Sequence, residues 1–360
     1  MNHAGRLRRL GDALGGHGVD GLLVSNLTNI RYLTGFTGSN ALLVVRPGDA
    51  IFLTDFRYLE RVAPLREFLE VRQVNQEILR VAGEQVAAAL PPGGRAGFEA
   101  AHLSFAQHRL LAAALPGAEL VPTNGAVEQL RAVKDEQEQE AIRRAAAQLE
   151  PVYAALADEG LAGRSEVEVA WRIQELFHEA GTQGAAFDSI VASSEAGALP
   201  HAEPRDTVVA GNTLVTLDLG CRLDGYCSDC TRTFATGPLP AELEEIYGLC
   251  LQAQLAGLAA VKPGAGGAEV DAVVRDLIGE AGHGQHFQHG TGHGVGLDIH
   301  EAPRLATTSS ATLEAGMVVT VEPGIYLPGV GGVRIEDLVI VTADGAERLT
   351  GYPKELITTG

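Results

Sequence analysis

The chain is poor in cysteine and in basic residues, and it contains no long apolar run. Its 360 residues include four cysteines, too few for a disulfide scaffold at this length. Lysine and arginine number 27 against 46 aspartates and glutamates, and the formal net charge of −19 argues against nucleic-acid or anionic-membrane partners. No segment approaches the length of a membrane span, and the N-terminal residues predict an amphipathic helix instead of a signal peptide. We therefore expect a globular, cytoplasmic protein with reduced thiols.

Two of the cysteines, Cys227 and Cys230, have the spacing of a redox or zinc pair. The segment 226–234 predicts a β-strand, however, and positions three apart in a strand face opposite sides. Cys227 then shares a face with Asp229 and Thr231, while Cys230 points away. We interpret both cysteines as ordinary thiols.

Five residues with metal-binding side chains lie in apolar or glycine-rich surroundings in the C-terminal part of the chain: Asp218, Asp229, His293, Glu322 and Glu336. A carboxylate within a run of valine and leucine has to be paired or bound to a metal, because an unpaired buried charge costs several kcal/mol. Two divalent ions would neutralise four carboxylates beside one neutral imidazole. An oxygen-dominated set with one nitrogen favours Mn²⁺ or a similar ion. The sequence therefore predicts a two-metal site.

The spacing of the carboxylates indicates two hairpins. An Asp-Gly turn separates Asp218 from Asp229, and a glycine-rich turn separates Glu322 from Glu336. Hairpins through these turns would bring the side chains of each pair to one region of a sheet.

The histidine of the set, His293, lies in the glycine-rich segment 289–301. Glycine at these positions allows the backbone to approach a crowded centre closely. The segment does not form a dinucleotide-binding pattern, because Val295 occupies the place of the third glycine. A nucleotide-binding function is therefore excluded for this segment.

The pattern of elements predicts two domains. The first part alternates helical and strand patterns, as in a compact α/β unit, and a charged helical stretch follows it. Strands dominate from residue 187 onward, interrupted by two helices, which indicates an antiparallel sheet backed by helices in an α+β layer. The predicted domains are 1–128 and 129–360, with a continuous helix over 130–157 and later helices at 241–261 and 269–282.

The ordered motifs resemble those of the creatinase/methionine aminopeptidase-like dinuclear metallopeptidases, and within them the Xaa-Pro peptidases (prolidase and aminopeptidase P). The resemblance covers nearly the whole chain, and the sequence of motifs is more specific than any one of them. The matching motifs are Asn29-Ile-Arg-Tyr-Leu-Thr-Gly-Phe36, Leu217-Asp-Leu-Gly220, Ser228-Asp-Cys-Thr-Arg-Thr-Phe234, Gly292-His-Gly-Val-Gly296, Val321-Glu-Pro-Gly324 and Val333-Arg-Ile-Glu-Asp337.

The resemblance implies a pita-bread catalytic domain of the α+β class with a smaller α/β N-terminal domain, usually in a homodimer. Asp218 would chelate one metal ion. Asp229 and Glu336 would bridge both ions. His293 and Glu322 would hold the other.

The resemblance also implies functions for residues around the metal ligands. His201 would assist proton transfer or substrate binding, and His289 would line a proline pocket. His300 would donate to the scissile carbonyl or its oxyanion, and Glu322 would collect the proton for the leaving nitrogen. Arg334 would support a bridging ligand or the substrate.

The leading hypothesis is hydrolysis of the peptide bond before proline, which lacks the N–H that ordinary peptidases bind. The compact length favours Xaa-Pro dipeptides over the longer peptides that aminopeptidase P cleaves. A dipeptidase has to bind a free carboxylate, for which the fork of an arginine is best suited. The candidates are Arg31, Arg46, Arg57 and Arg334.

Three more remote functions are weighed against this hypothesis. Methionine aminopeptidase uses the same ligands but does not require the N-terminal unit. Creatine amidinohydrolase has the two-domain layout without the ligands, and a non-catalytic peptide-binding module would be expected to lose them. Mn²⁺ is the favoured ion on ligand hardness, with Co²⁺ and Zn²⁺ as alternatives.

Two further histidines, His283 and His286, precede His289 at three-residue spacing. They match none of the motifs. We interpret them as solvent-facing loop residues that bind no metal.

Overall fold

The computed structural model describes residues 1–359 and divides into two compact units, Met1–Arg131 and Ala132–Gly360. Each unit has hydrophobic clusters of its own. The functional domains are predicted to meet between residues 128 and 129, and this boundary stays a prediction.

Unit 1 is built on a six-stranded mixed sheet with the strand order β4-β3-β2-β1-β5-β6. Strands β2 and β3 pair antiparallel on either side of a turn at Pro47 and Gly48. The elements are α1 (His3–Ala13), β1 (Gly21–Val24), α2 (Leu27–Thr34), β2 (Ala41–Arg46), β3 (Asp49–Thr54), β4 (Glu70–Gln73), α3 (Ile78–Ala89), β5 (Arg95–Glu99), α4 (Phe105–Ala114) and β6 (Glu119–Thr123).

The prediction of one continuous helix over 130–157 was wrong. Asp135 starts a new helix by accepting a hydrogen bond from the backbone N–H of Glu138 at 3.0 Å. Pro151 lies in the first turn of the next helix, where its missing N–H costs nothing. The segment forms α5 (Glu128–Ala132), α6 (Glu136–Ala147) and α7 (Leu149–Glu159), followed by α8 (Glu166–Glu179). A capping box formed by Ser165 and Glu168 starts α8.

The later part of unit 2 consists of antiparallel strands and two helices. A three-stranded sheet has the order β11-β8-β7, a five-stranded sheet has the order β13-β12-β14-β17-β18, and β9 with β10 and β15 with β16 form separate pairs. The predicted helices at 241–261 and 269–282 are confirmed as α9 and α10. The elements are β7 (Ile190–Ser193), β8 (Leu214–Leu219), β9 (Arg222–Leu223), β10 (Tyr226–Cys227), β11 (Cys230–Ala235), α9 (Ala241–Ala260), α10 (Gly267–Glu280), β12 (Gly292–Gly294), β13 (Glu301–Leu305), β14 (Val318–Val321), β15 (Gly324–Leu327), β16 (Gly331–Arg334), β17 (Asp337–Val341) and β18 (Ala346–Arg348).

Both predicted hairpins of the C-terminal part are present. Strands β9 and β10 meet at the turn 224–225, and β15 and β16 flank the turn 328–330. The single strand predicted over 226–234 is interrupted at 228–229; just before the break, the backbone N–H of Cys227 donates to the carbonyl oxygen of Gly296 at 2.8 Å. The interruption lies at Asp229.

Apolar clusters on the helix side hold these sheets in place. Helices α6, α7 and α8 pack on the three-stranded sheet through residues such as Leu149, Tyr153 and Ile173, and α9 packs on β15 and β16 through Ile246 and Cys250. All four cysteines are free and buried, as expected. Within residues 1–359, no helix has both the length and the apolar character that crossing a bilayer requires.

Candidate metal centre

The five predicted metal ligands come from separate strands of unit 2 and converge. Asp218 lies on β8, opposite Thr231 of β11, and Asp229 immediately precedes β11. In the five-stranded sheet, the histidine lies on β12, one glutamate follows β14 and the other precedes β17. These last three are His293, Glu322 and Glu336.

Three carboxylates form the centre of the cluster. Asp218, Asp229 and Glu336 each offer an oxygen within 4.8 Å of the others. The side chains of Asp218 and Asp229 are 13% and 6% exposed, and Glu336 is 1% exposed. Since like charges this close and this poorly hydrated repel one another strongly, the arrangement requires a compensating positive charge.

His293 connects the trio to the fourth carboxylate. Its Nε2 atom lies 3.6 Å from Asp229 Oδ2 and 3.3 Å from Glu322 Oε1. Its Nδ1 atom donates to the carbonyl oxygen of Gly294 at 3.0 Å. In a neutral ring the proton is therefore on Nδ1, and the lone pair of Nε2 points at two carboxylates, as in a metal ligand held by a backbone acceptor.

The pKa shifts describe the same crowding. Burial raises the pKa of Asp229 well above its usual range, and the charges of Glu336 and Asp218 raise it further. Burial and the charge of Glu322 act in the same direction on the pKa of Glu336. Burial raises the pKa of Glu322, but the hydrogen bond and the positive charge that a protonated His293 supplies outweigh this and lower the pKa to about 2.

The donor set fits divalent metal ions. Asp218 Oδ1 and Glu336 Oε1 are buried and have no hydrogen-bond partner among the described residues. Buried carboxylate oxygens are normally satisfied. Two unpartnered oxygens in one cluster, beside the Nε2 atom of His293, form a donor set that suits cations. Asp218, Asp229, His293, Glu322 and Glu336 are thus the residues that could hold the metal.

Arg334 lies beneath the cluster and has every part of its guanidinium engaged. Its Nη2 donates to Asp218 Oδ2 at 2.7 Å, its Nε to Thr231 Oγ1 at 3.1 Å, and its Nη1 to Tyr326 Oη at 3.0 Å and Pro200 O at 3.1 Å. The side chain is 4% exposed. The resemblance implies that Arg334 supports a bridging ligand or the substrate, and this function stays a prediction; the carboxylate partner of Arg334 in the structure is Asp218.

Two residues that contact the site were missed in the sequence. Thr231 donates to Glu336 Oε2 at 2.8 Å, and Tyr326 Oη lies 2.8 Å from Nε2 of His289. The predicted strand pattern indicates Thr231, because it places this residue on the same face as Asp229. No local sequence pattern indicates Tyr326; in the structure, a Cβ atom at Gly324 would overlap its ring and hydroxyl.

The three further histidines lie in different settings around the site. His289 is half-buried, and burial lowers its pKa. His300 is exposed, its ring centroid is 4.4 Å from that of His293, and burial of the ring and the charge of His293 lower its pKa. His201 is exposed, and its charge acts on the pKa values of both His289 and His300. Their functions stay predictions.

The candidate arginines of unit 1 differ in their partners. Arg57 forms a forked pair with Asp55, with donor–acceptor distances of 2.8 and 2.7 Å, and Arg46 pairs with Asp49 at the end of the β2–β3 hairpin. Arg31 lies in the last turn of α2. Which of them binds a substrate carboxylate stays open.

His283 and His286 are half-buried and face each other, with 3.1 Å between their Nδ1 atoms. They belong to none of the metal-binding clusters found among residues 1–359. Cys230 points away from the ligands as expected, but into the core, where its Sγ donates to the carbonyl oxygen of Glu336 at 3.6 Å.

The glycines around His293 allow the close backbone approach that the sequence indicated. A Cβ atom at Gly292 would overlap the carbonyl oxygen of Thr320, and one at Gly294 would overlap that of Ala302. Any side chain here would push β12 away from its neighbours and displace the histidine.

Comparison with known proteins gives two family matches. Residues 139–343 match the model of metallopeptidase family M24, and residues 6–133 match the creatinase/prolidase N-terminal domain. The chain is 30% identical over 358 residues to a Xaa-Pro dipeptidase from Pyrococcus horikoshii, covering 98% of each protein.

Solved structures give the same result. A Xaa-Pro dipeptidase from Bacillus anthracis has a TM-score of 0.95 and 41% identity, with 99% of this chain and 100% of that one covered. An X-Pro aminopeptidase from Thermotoga maritima has a TM-score of 0.86 and 31% identity, with 96% and 99% covered. The two-domain creatinase-like fold and the buried carboxylate cluster agree with both matches. The chain therefore belongs to metallopeptidase family M24, with a creatinase/prolidase N-terminal domain and a pita-bread catalytic domain.

Proposed function

We propose that the protein is a Xaa-Pro dipeptidase that uses two divalent metal ions held by Asp218, Asp229, His293, Glu322 and Glu336. The observation that carries the proposal is the convergence of these donors, with two buried carboxylate oxygens left without partners. Two divalent ions held close together supply a hydroxide nucleophile near neutral pH and polarise a carbonyl group. The similarity to Xaa-Pro dipeptidases over nearly the full length supports the substrate class.

The chain's own residues bind the substrate and move protons. His289, fixed by Tyr326, lines the space for the proline ring. His300 is exposed beside His293 and donates to the oxygen that becomes negative during the reaction. Glu322 collects the proton for the leaving nitrogen, and His201 assists that transfer or contacts the substrate.

Length selectivity is the finer part of the proposal. A dipeptide ends in a free carboxylate, which an arginine from the set Arg31, Arg46, Arg57 and Arg334 would bind. Arg334 already donates to four acceptors, so it has less capacity for a substrate than its position suggests. Arg46 and Arg57 are also paired, with Asp49 and Asp55, so all four arginines stay candidates for the carboxylate-binding residue.

We expect hydrolysis of Xaa-Pro dipeptides to be more efficient than hydrolysis of Xaa-Pro-Xaa tripeptides or Met-Ala peptides. Replacing the carboxylate-binding arginine by alanine should raise KM for the dipeptide and spare the tripeptide, since an unpaired desolvated carboxylate costs about 2–5 kcal/mol. Steady-state kinetics on the three substrates, for Arg31→Ala, Arg46→Ala and Arg57→Ala in turn, measures this.

The alternative outcomes of the assay are distinct. Equal efficiency on Xaa-Pro and Xaa-Pro-Xaa identifies an aminopeptidase P. Preference for Met-Ala identifies a methionine aminopeptidase-like enzyme. Metal binding without hydrolysis of any of them identifies a non-catalytic peptide-binding module.

We propose Mn²⁺ as the activating ion, because four of the five donors are hard carboxylate oxygens. Apo-protein prepared by chelation should regain more activity with Mn²⁺ than with Zn²⁺ at equal occupancy, as measured by kinetics and elemental analysis. Better reactivation by Zn²⁺ contradicts the choice, even though affinity alone follows the opposite order.

The last part of the proposal concerns location, oligomeric state and domain boundaries. We propose a cytoplasmic homodimer with functional domains 1–128 and 129–360. The net charge of −19 supports a small peptide as the partner in preference to nucleic acid or an anionic membrane.

A further inference from the structure

Helix α10 carries an ion pair that holds the segment in front of the metal-binding histidine. Asp271 is fully buried, and Arg275, one turn later, binds it through Nε at 2.8 Å and Nη2 at 2.9 Å. This is the forked geometry in which an arginine and a carboxylate fix each other's orientation. Neither residue belongs to the metal-binding cluster.

The pair forms hydrogen bonds with three residues of the segment 287–291, namely Phe287, His289 and Thr291. Arg275 Nη1 donates to the carbonyl oxygen of Phe287 at 2.9 Å, and Nη2 donates to that of His289 at 2.8 Å. Asp271 Oδ1 accepts from the backbone N–H of Thr291 at 3.0 Å and from its hydroxyl at 2.9 Å. The guanidinium also lies 4.5 Å from the centre of the Phe287 ring.

The segment leads directly into the site. The ring of His289 packs edge-on against Phe287, with 5.0 Å between ring centroids, and its Nε2 reaches Tyr326 Oη at 2.8 Å. The carbonyl oxygen of Thr291 accepts from the backbone N–H of Glu322 at 2.8 Å. The segment is otherwise irregular, since residues 287–291 belong to no helix or strand. Its shape therefore depends on the bonds from α10.

We propose that Asp271 and Arg275 are positioning residues that present His289 to the substrate. The hydrogen bonds of the pair hold the backbone at His289 itself and at positions two residues before and after it. Without the guanidinium, two carbonyl oxygens lose their donors and the ring gains freedom to turn away. The inference rests on the proposed function insofar as His289 contacts the substrate.

The test is a double-mutant cycle. Arg275→Met keeps the aliphatic stem and removes the fork, and we expect it to raise KM about tenfold, a typical coupling within one hydrogen-bond network. In a His289→Ala background the same change should alter KM by less than about twofold, because no histidine remains to be positioned. Equal effects in both backgrounds overturn the proposal, since they indicate a general loss of structure.

Amide hydrogen exchange of residues 287–291 provides a readout that needs no substrate. We expect faster exchange in Arg275→Met than in the unmodified protein, with metal content unchanged by elemental analysis. Unchanged exchange overturns the proposal. Failure of the unmodified enzyme on Xaa-Pro peptides would instead contradict the proposed function, and the exchange result would still decide on the pair.

Two further variants distinguish the loss of the hydrogen bonds from misfolding of the protein. Arg275→Lys keeps one donor and the charge, and it should fall between the unmodified enzyme and Arg275→Met in KM and in exchange. Arg172→Met is the matched control, because Arg172 of α8 is exposed to the same extent as Arg275, 26%, and pairs with Glu159 of α7 and with Glu175 and Glu179 of α8. The control should leave both readouts unchanged.

Discussion

Exchanging Asp229 for asparagine should abolish peptide hydrolysis and leave the protein folded. Asp229 belongs to the carboxylate trio and also lies 3.6 Å from His293 Nε2, so it contacts both the trio and the histidine. Asparagine would offer a neutral oxygen in place of an anionic carboxylate, and would therefore hold a divalent ion less strongly. We expect kcat/KM to fall by more than the roughly 10²–10³-fold that loss of a single oxyanion-hole donor costs.

The fold should survive, because a charged Asp229 is repelled by its neighbouring carboxylates in the metal-free protein. Burial and the neighbouring charges of Glu336 and Asp218 raise its pKa, so a neutral amide removes repulsion. Thermal unfolding in a chelator should give a melting temperature no lower than that of the unmodified protein, while elemental analysis shows reduced metal. Asp224→Asn, in the exposed turn of the same hairpin, is the control and should retain activity. Full activity of chelated, metal-free enzyme would contradict the mechanism.

Exchanging Asp337 for asparagine should cause the largest loss of stability. Asp337 is fully buried and binds Arg232 at 2.9 Å, Lys354 at 2.6 Å, Gln254 at 3.0 Å and Thr350 at 2.8 Å. Removing the one anion leaves two buried cations without a counter-charge. We expect the free energy of unfolding to fall by about 3–5 kcal/mol. Denaturant unfolding in a chelator measures this without a contribution from bound metal.

The cation left behind can be tested separately. Adding Lys354→Met to Asp337→Asn should recover part of the loss, because one unpaired buried charge disappears. Asp344→Asn, in the exposed turn before β18, is the matched control and should change stability by less than about 0.5 kcal/mol. A loss below about 1 kcal/mol for Asp337→Asn would mean that water reaches the network.

The parts of the fold set by local chemistry were predictable from the sequence. Turn residues between Asp218 and Asp229, and between Glu322 and Glu336, predicted hairpins that the structure contains. A carboxylate within a run of valine and leucine predicted the cluster, because burying an unpaired charge is costly and the run alone indicates burial. Family resemblance added the fold of the domains, which periodicity alone could not supply.

The remaining parts depend on contacts between distant segments. The helix over 130–157 was predicted as one piece because its charged pattern continues through the breaks, and only the cap at Asp135 marks the restart. The engagement of Arg334 with Asp218 joins β16 to β8, and no local pattern specifies that choice over Glu336. The pair of Asp271 and Arg275 reads in the sequence as an ordinary helical ion pair at i, i+4.

The ligands lie on or next to five strands, and this distribution affects how the chain folds. The strands are β8, β11, β12, β14 and β17. No ligand pair closer in sequence than Asp218 and Asp229 exists, and the full set spans both the three-stranded and the five-stranded sheet. Pairings of such long range form slowly, since chain entropy is lost before contacts are gained. A newly synthesised chain would therefore meet the metal only at the end of folding. Bound ions would then act chiefly by slowing unfolding, and lifetime against proteolysis would follow metal supply in the cell.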